Sequence, residues 1–80
     1  MSISGNAKEI ADGLRHALKV ERIRRRIPQA DLAAKVGRSR KWLSDFERGI
    51  IDPSFVTVIA LALQLDVKID YSVVEIVDQV

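Results

Sequence analysis

The fold of this 80-residue chain is decided by the sequence QADLAAKVGRSRKWLSDFERG, residues 29–49. It contains two short segments with helical spacing of apolar residues, separated by Gly37. The apolar positions recur at i, i+1 and i+4 in the first segment and at i and i+3 in the second: Leu32, Ala33, Val36, and then Leu43 and Phe46. The two stripes can share one core only if the turn brings the helices together at a steep angle. We therefore predict a helical hairpin whose second helix points its first turn away from the protein.

The start of that second helix is cationic, because Arg40 and Lys41 follow Ser39. A protruding helix N-terminus with long basic side chains fits the DNA major groove. The charge distribution agrees: residues 1–50 carry twelve Lys/Arg and six Asp/Glu, whereas residues 51–80 carry one Lys and five acids. The halves thus have net charges of +6 and −4, which sum to the +2 of the chain. We expect the basic half to face a polyanion and the acidic half to face away from it.

The composition argues against several classes of protein. The chain has no cysteine and one histidine, and it lacks a glycine-rich loop that could hold phosphate. We therefore predict no enzymatic activity, no metal site and no cofactor. No run of 18 apolar residues is present, and the N-terminus lacks the layout of a signal peptide, so we expect a cytoplasmic protein without contact to a membrane.

Four helices are predicted along the chain. The first covers residues 6–25 and should bury Ile10, Leu14, Ala17 and Leu18. The basic run of residues 24–26 closes it and complements the helix dipole, and an additional contact with phosphate is left open for it. The second begins at Pro28 or Gln29; the third has Ser39 as its N-cap and Gly49 just past its end; the fourth covers residues 54–65.

The residue string also resembles a known family. The matching residues are Gln29, the Leu32-Ala33 pair, Val36-Gly37, Ser39, Leu43 and Glu47-Arg48-Gly49, and they resemble the helix-turn-helix of the Xre family, the Cro and phage-repressor type. The resemblance covers residues 14–67 and implies a mainly α, four-helix domain over residues 1–66. The sequence departs from the family pattern at three positions: Pro28 replaces a capping Ser or Thr, and Arg26 and Asp66 replace glycines.

The resemblance implies roles for individual residues. The residues expected to contact base edges are Ser39, Arg40, Lys41 and Ser44. Those expected to contact the DNA backbone are Gln29, Lys35, Arg38, Trp42 and Arg48. Packing on the first helix is the alternative role for Trp42. Arg22 and Glu47 match a pair that forms a salt bridge between the first and third helices of related repressors, and we assign them to structure.

The C-terminal part of the chain predicts self-association. The fourth helix is apolar nearly all round, and the resemblance implies that Phe55, Val58, Ile59, Ala62 and Leu65 pack on the domain's own core. This leaves Val56, Ala60 and Leu63 for a subunit contact. Residues 67–80 are predicted to be a C-terminal strand and tail for dimerisation, because apolar residues alternate with polar ones over residues 67–73, as in a β-strand: Val67, Ile69, Tyr71 and Val73. A single strand needs a partner, so we predict that it pairs across a homodimer two-fold axis; a frayed tail is the alternative.

A terminal strand on an Xre domain resembles the Hip-type antitoxins, which are the DNA-binding partners of HipA-like toxin kinases. The favoured interpretation is a dimeric repressor of palindromic double-stranded DNA that is also the antitoxin of such a pair. Its two third helices would lie about 34 Å apart in successive major grooves. The alternatives are a stand-alone repressor and a protein-binding adaptor that does not contact DNA.

Overall fold

The computed structural model describes residues 3–68 of the chain, with side chains from residue 7 onward. The backbone forms four helices: α1 (Ile3–Arg24), α2 (Gln29–Lys35), α3 (Arg40–Glu47) and α4 (Phe55–Gln64). The mainly helical fold class is thereby confirmed. The predicted bounds of the fourth helix are correct to one residue at each end, whereas α1 begins three residues earlier than predicted.

Local side-chain chemistry sets the starts of α3 and α4. The Ser39 hydroxyl accepts a hydrogen bond from the backbone N–H of Trp42 at 3.1 Å, and Ser54 accepts one from Thr57 at 3.3 Å. Each hydroxyl satisfies a backbone donor that the first turn of a helix leaves without a partner. Pro28 is the N-cap of α2 and provides no such bond. The departure at Pro28 therefore leaves α2 without a side-chain cap.

All four helices end in the same way, with the two crossed backbone bonds of a Schellman motif. At the end of α1 the Ile27 N–H donates to the Arg22 carbonyl at 3.1 Å, and the Arg26 N–H donates to Ile23 at 2.9 Å. The motif places one residue after each helix in the left-handed region: Arg26 (φ 59°), Gly37 (φ 72°), Gly49 (φ 77°) and Asp66 (φ 54°). Two of these are the positions where the family pattern has glycine and this sequence does not. At Arg26 and Asp66 the backbone therefore keeps the left-handed conformation that favours glycine, although both residues have side chains.

The core lies where the C-terminal half of α1 meets the other three helices. Its buried residues are Leu18, Leu32, Ala33, Leu43, Phe46, Leu61, Ala62 and Leu65. The predicted stripes of the hairpin face this core, with Val36 partly buried beside it. Removing a methylene group from water stabilises the folded state by about 0.8 kcal/mol. Burial of these side chains is therefore the main source of stability for so small a domain.

The prediction for the first half of α1 is wrong in part. Leu18 is buried and Leu14 is half-buried, but Ile10 is 73% exposed and Ala17 is exposed. A helix of 22 residues is about 33 Å long, and α1 packs mainly against the much shorter α3. The N-terminal half of α1 therefore extends past the helices that could cover it.

The face of α4 also differs from the prediction at one residue. Ala62 and Leu65 are buried and Val58 and Ile59 half-buried, but Phe55 is 63% exposed. Phe55 is the first residue of α4, whereas the buried residues of this helix lie in its C-terminal half, which packs against α2. Among the residues predicted for a subunit contact, Val56 is 75% and Leu63 68% exposed, and Ala60 is half-buried.

The predicted strand begins at Val67, and the structure assigns this residue differently. The Val67 N–H donates to the Ala62 carbonyl at 2.9 Å, and its partly buried side chain packs on the core. Val67 is thus the final residue of the motif that ends α4, and residues 3–68 contain no strand. The remaining strand residues, Ile69, Tyr71 and Val73, lie outside the described residues. Within the described part of the chain, no helix is long and apolar enough to cross a membrane.

Candidate nucleic-acid interface

The outward face of α3 is polar and charged. Leu43 and Phe46 point into the core. At about 100° per residue, the positions opposite them are 41, 44, 45 and 48. The outward face therefore consists of Lys41, Ser44, Asp45 and Arg48.

The predicted base-contact residues lie at the start of α3 and along this outward face. Arg40 is exposed, and among residues 7–68 it has no ion-pair partner. Lys41 is 86% exposed, and its ammonium lies 2.9 Å from the Asp45 carboxylate. Ser44 is half-buried, and Ser39 is exposed with its hydroxyl bonded to the backbone of Trp42. Asp45 was not predicted to belong to this face, although its i,i+4 spacing from Lys41 signals such a pair.

The predicted backbone-contact residues surround this face. Lys35, Arg38 and Arg48 are exposed at the ends of α2 and α3, and within the described residues none of them pairs with an acid. With Arg40 they form a group of four cations around the hairpin. Such a group produces a positive potential that attracts polyanions, more strongly at low salt.

Trp42 takes part in a series of ring contacts. The Arg38 guanidinium lies 5.4 Å from the centre of its indole ring, within the range of a cation–π interaction. The indole stacks on Phe46 with 5.8 Å between ring centres and an angle of 5° between planes. The Arg15 guanidinium in turn lies 5.4 Å from the centre of the Phe46 ring. Trp42 thus connects the exposed turn before α3 to the core.

A single carboxylate joins three helices on the inner side of α3. Glu47 Oε2 accepts from Arg22 Nε at 2.6 Å, and Oε1 accepts from Arg22 Nη2 at 3.0 Å. The Gln29 amide donates to Oε1 at 2.9 Å. The remaining Arg22 nitrogen donates to the Ile27 carbonyl at 2.9 Å, and the Glu47 side chain is only 3% exposed. Gln29, predicted to contact the DNA backbone, therefore also holds the start of α2 on α3.

Most of the basic run at the end of α1 is neutralised within the chain. Arg24 and Arg25 both contact the Glu21 carboxylate, and Arg25 also lies 3.5 Å from Asp66. Hydrogen bonds from Arg24 and then Arg25 lower the pKa of Glu21 from 4.5 to about 2. The same contact with Glu21 raises the pKa of Arg24. These ion pairs were not predicted for the run, and its contact with phosphate stays a prediction.

Arg15 is a structural residue that the sequence analysis missed. Its guanidinium pairs with Asp12 at 2.7 Å and Asp52 at 3.2 Å, and only 11% of the side chain is exposed. It fixes the loop before α4 to α1, beside a groove of about 570 Å³. None of the predicted DNA-contact residues lines this groove. The i,i+3 spacing of Asp12 and Arg15 was visible in the sequence, but the contact with Asp52 depends on the tertiary fold.

Comparison with known proteins gives one result. The profile of a helix-turn-helix family, of Xre type, matches residues 18–72, which are 55 of the 80 residues. No curated protein and no solved structure matches the chain. The matched segment contains the hairpin, the cations around it and the Arg22–Glu47 pair. The chain therefore belongs to the Xre-type helix-turn-helix family, whose domain is that of DNA-binding transcription regulators.

Proposed function

We propose that this protein is a sequence-specific transcriptional repressor that binds palindromic double-stranded DNA as a homodimer. One observation carries the proposal: α3 has its apolar residues in the core and a polar face turned outward, with four unpaired cations of the described chain around it. A helix of this kind enters the major groove, where its side chains reach base edges.

The roles of the residues follow from their positions. Arg40 and Lys41 would donate to guanine O6 and N7, and Ser44 would bond a neighbouring base. Ser39 caps α3, and its exposed position also allows a contact with DNA.

The backbone of the DNA would be bound by the residues around α3. Lys35, Arg38 and Arg48 are free to pair with phosphates. The Gln29 amide uses one N–H on Glu47 and keeps the other for a phosphate. The Arg38 guanidinium lies over the face of the Trp42 ring, which leaves the indole N–H at the ring edge to donate to a phosphate.

Dimerisation is supported by the apolar surface of α4. Val56 and Leu63 are seven residues apart on one face, and both are more than two-thirds exposed. Ala60 lies between them and would allow the close approach of a second helix. The alternating residues Ile69, Tyr71 and Val73 would extend this contact as a strand pair. A two-fold axis through this surface would relate two copies of α3 by the symmetry that a palindrome has.

We propose more specifically that the protein is also an antitoxin, whose partner is a HipA-like toxin kinase. This proposal is supported by the resemblance to Hip-type antitoxins and by the acidic C-terminal part of the chain, which has a net charge of −4 over residues 51–80. An acidic surface away from DNA remains available to a protein partner while DNA is bound.

The first experiment is a selection of binding sites from random double-stranded DNA, followed by titrations of the selected site. The double variant Arg40→Ala/Lys41→Ala should lose specific binding, whereas Lys8→Ala/Lys19→Ala removes the same charge from α1 and should retain it. The logarithm of the binding constant should fall with the logarithm of salt concentration, by about 0.9 per phosphate contact. If the unaltered protein selects no sequence, the repressor proposal fails and the adaptor interpretation replaces it.

A second experiment tests the toxin partnership. The genes beside the one for this chain are searched for a HipA-like kinase, whose presence the antitoxin function predicts; that kinase is co-expressed with the protein, and the mixture is analysed by size-exclusion chromatography. A stable complex that still binds the selected DNA supports the antitoxin function. If a folded kinase elutes separately, the protein is a repressor without this partner.

A further inference from the structure

The outward face of α3 contains one acidic residue, Asp45. The other acid of this helix, Glu47, is directed inward and bonded to Arg22 and Gln29. Asp45 is paired with Lys41 one helical turn earlier, at 2.9 Å, and its side chain is 17% exposed against 86% for Lys41. A carboxylate therefore lies on the surface that the proposed function places in the major groove.

A carboxylate at this position has an electrostatic cost, because the phosphates on both sides of the groove repel it. It can be stabilised there only by hydrogen-bond donors. In the major groove the bases supply donors only as exocyclic amino groups, on cytosine N4 and adenine N6. Asp and Glu side chains typically accept from cytosine N4, whereas Lys donates to guanine O6 and N7.

The Lys41–Asp45 pair is complementary to the major-groove edge of a G·C base pair, which presents acceptors on guanine and a donor on cytosine. The ammonium supplies the donors that guanine needs, and the carboxylate supplies the acceptor that cytosine needs. The 2.9 Å contact places the ammonium directly beside the Asp45 carboxylate.

We propose that Asp45 is a specificity-determining residue that selects cytosine at one position of each half-site, in a G·C base pair whose guanine is bound by Lys41. This inference rests on the proposed function and adds the chemical class of the base that the site selects. Asp45 would also lower binding to other sequences, because an incorrect base leaves the carboxylate without a donor in a negatively charged groove.

The test is the same selection from random DNA, carried out with the unaltered protein, Asp45→Asn and Asp45→Ala. The unaltered protein should enrich cytosine at one half-site position. Asp45→Asn should shift the preference at that position to adenine, because an amide bonds adenine N6 and N7 together. Asp45→Ala should abolish the preference, with a loss of discrimination of roughly tenfold or more in titrations of matched and mismatched sites.

The matched control is Asp31→Asn, which neutralises an exposed acid on α2. Asp31→Asn and Asp45→Asn should both raise the overall affinity for DNA, because each removes a negative charge. Only the substitutions at Asp45 should alter base preference. If Asp45→Asn and the unaltered protein enrich the same base at every position, the inference is wrong while the proposed function stands. If the unaltered protein enriches no sequence, both are wrong. Circular dichroism of each variant verifies that it is folded.

Discussion

Replacing Glu47 by alanine removes the carboxylate that joins α1, α2 and α3. Two nitrogens of Arg22 and the amide of Gln29 lose their acceptor. The Arg22 side chain is 12% exposed, so its charge would remain largely buried with the Ile27 carbonyl as its partner. Breaking such a pair from one side costs about 3–5 kcal/mol.

This loss is large for a domain of this size. At roughly 0.05–0.15 kcal/mol per residue, 80 residues have a free energy of unfolding of about 4–12 kcal/mol. With an m value of about 1 kcal/mol per molar urea, the midpoint of unfolding should fall by about 3 M or more. Urea titrations of the unaltered protein and of Glu47→Ala, followed by circular dichroism, measure this change in midpoint.

Two further variants make the result interpretable. Asp52→Ala removes an acid of comparable charge that is 96% exposed, so it should lower the free energy of unfolding by less than about 1 kcal/mol. Arg22→Met/Glu47→Leu removes both charges and should be much less destabilising than Glu47→Ala alone, because no uncompensated charge remains. Equal midpoints for Glu47→Ala and Asp52→Ala would refute the reasoning.

Four other predictions concern helix ends and acid stability. Arg26→Gly should raise the free energy of unfolding by about 1 kcal/mol, because it relieves a left-handed conformation that disfavours side chains; a thermal melt that shows no increase contradicts this. Asp66→Gly should give a smaller increase in the same assay, since Asp tolerates this region better than Arg. Ser39→Ala should cost about 1 kcal/mol through loss of the cap on Trp42, and an unchanged urea midpoint would show that the cap contributes nothing. The pKa of Glu21 is lowered from 4.5 to about 2, so its ion pairs stabilise the fold above about pH 4.5 and this stabilisation is lost as the pH falls towards 2. An NMR titration of the Glu21 carboxyl should have its midpoint near pH 2, and a midpoint of 4 or above would be inconsistent with these contacts.

The helix ends could be predicted from the sequence because their chemistry is local. Ser39 and Gly49 act within one helical turn, so the residue type alone indicates the conformation. The left-handed conformations at Arg26 and Asp66 were not predicted, because neither residue type by itself indicates a positive φ.

Burial was harder to predict, because it depends on where neighbouring helices end. Ile10 and Phe55 fit an apolar stripe, yet each lies beyond the helix that would have covered it, and both are more than 60% exposed. The position of Arg15 between Asp12 and Asp52 likewise depends on the path of the loop before α4. The count of charged residues in the sequence also overestimated how many basic side chains are unpaired. It gave no indication that Arg24 and Lys41 form ion pairs with acids of the same chain.

The contact between Arg38 and Trp42 has a practical consequence. Trp42 is the only tryptophan of the chain, so all indole fluorescence originates from the ring on which Arg38 rests. Any event that lifts the guanidinium from the ring changes the surroundings of the fluorophore and hence its emission. The unmodified protein thus contains an optical reporter at the edge of α3, and occupancy of that surface can be followed without attaching a dye.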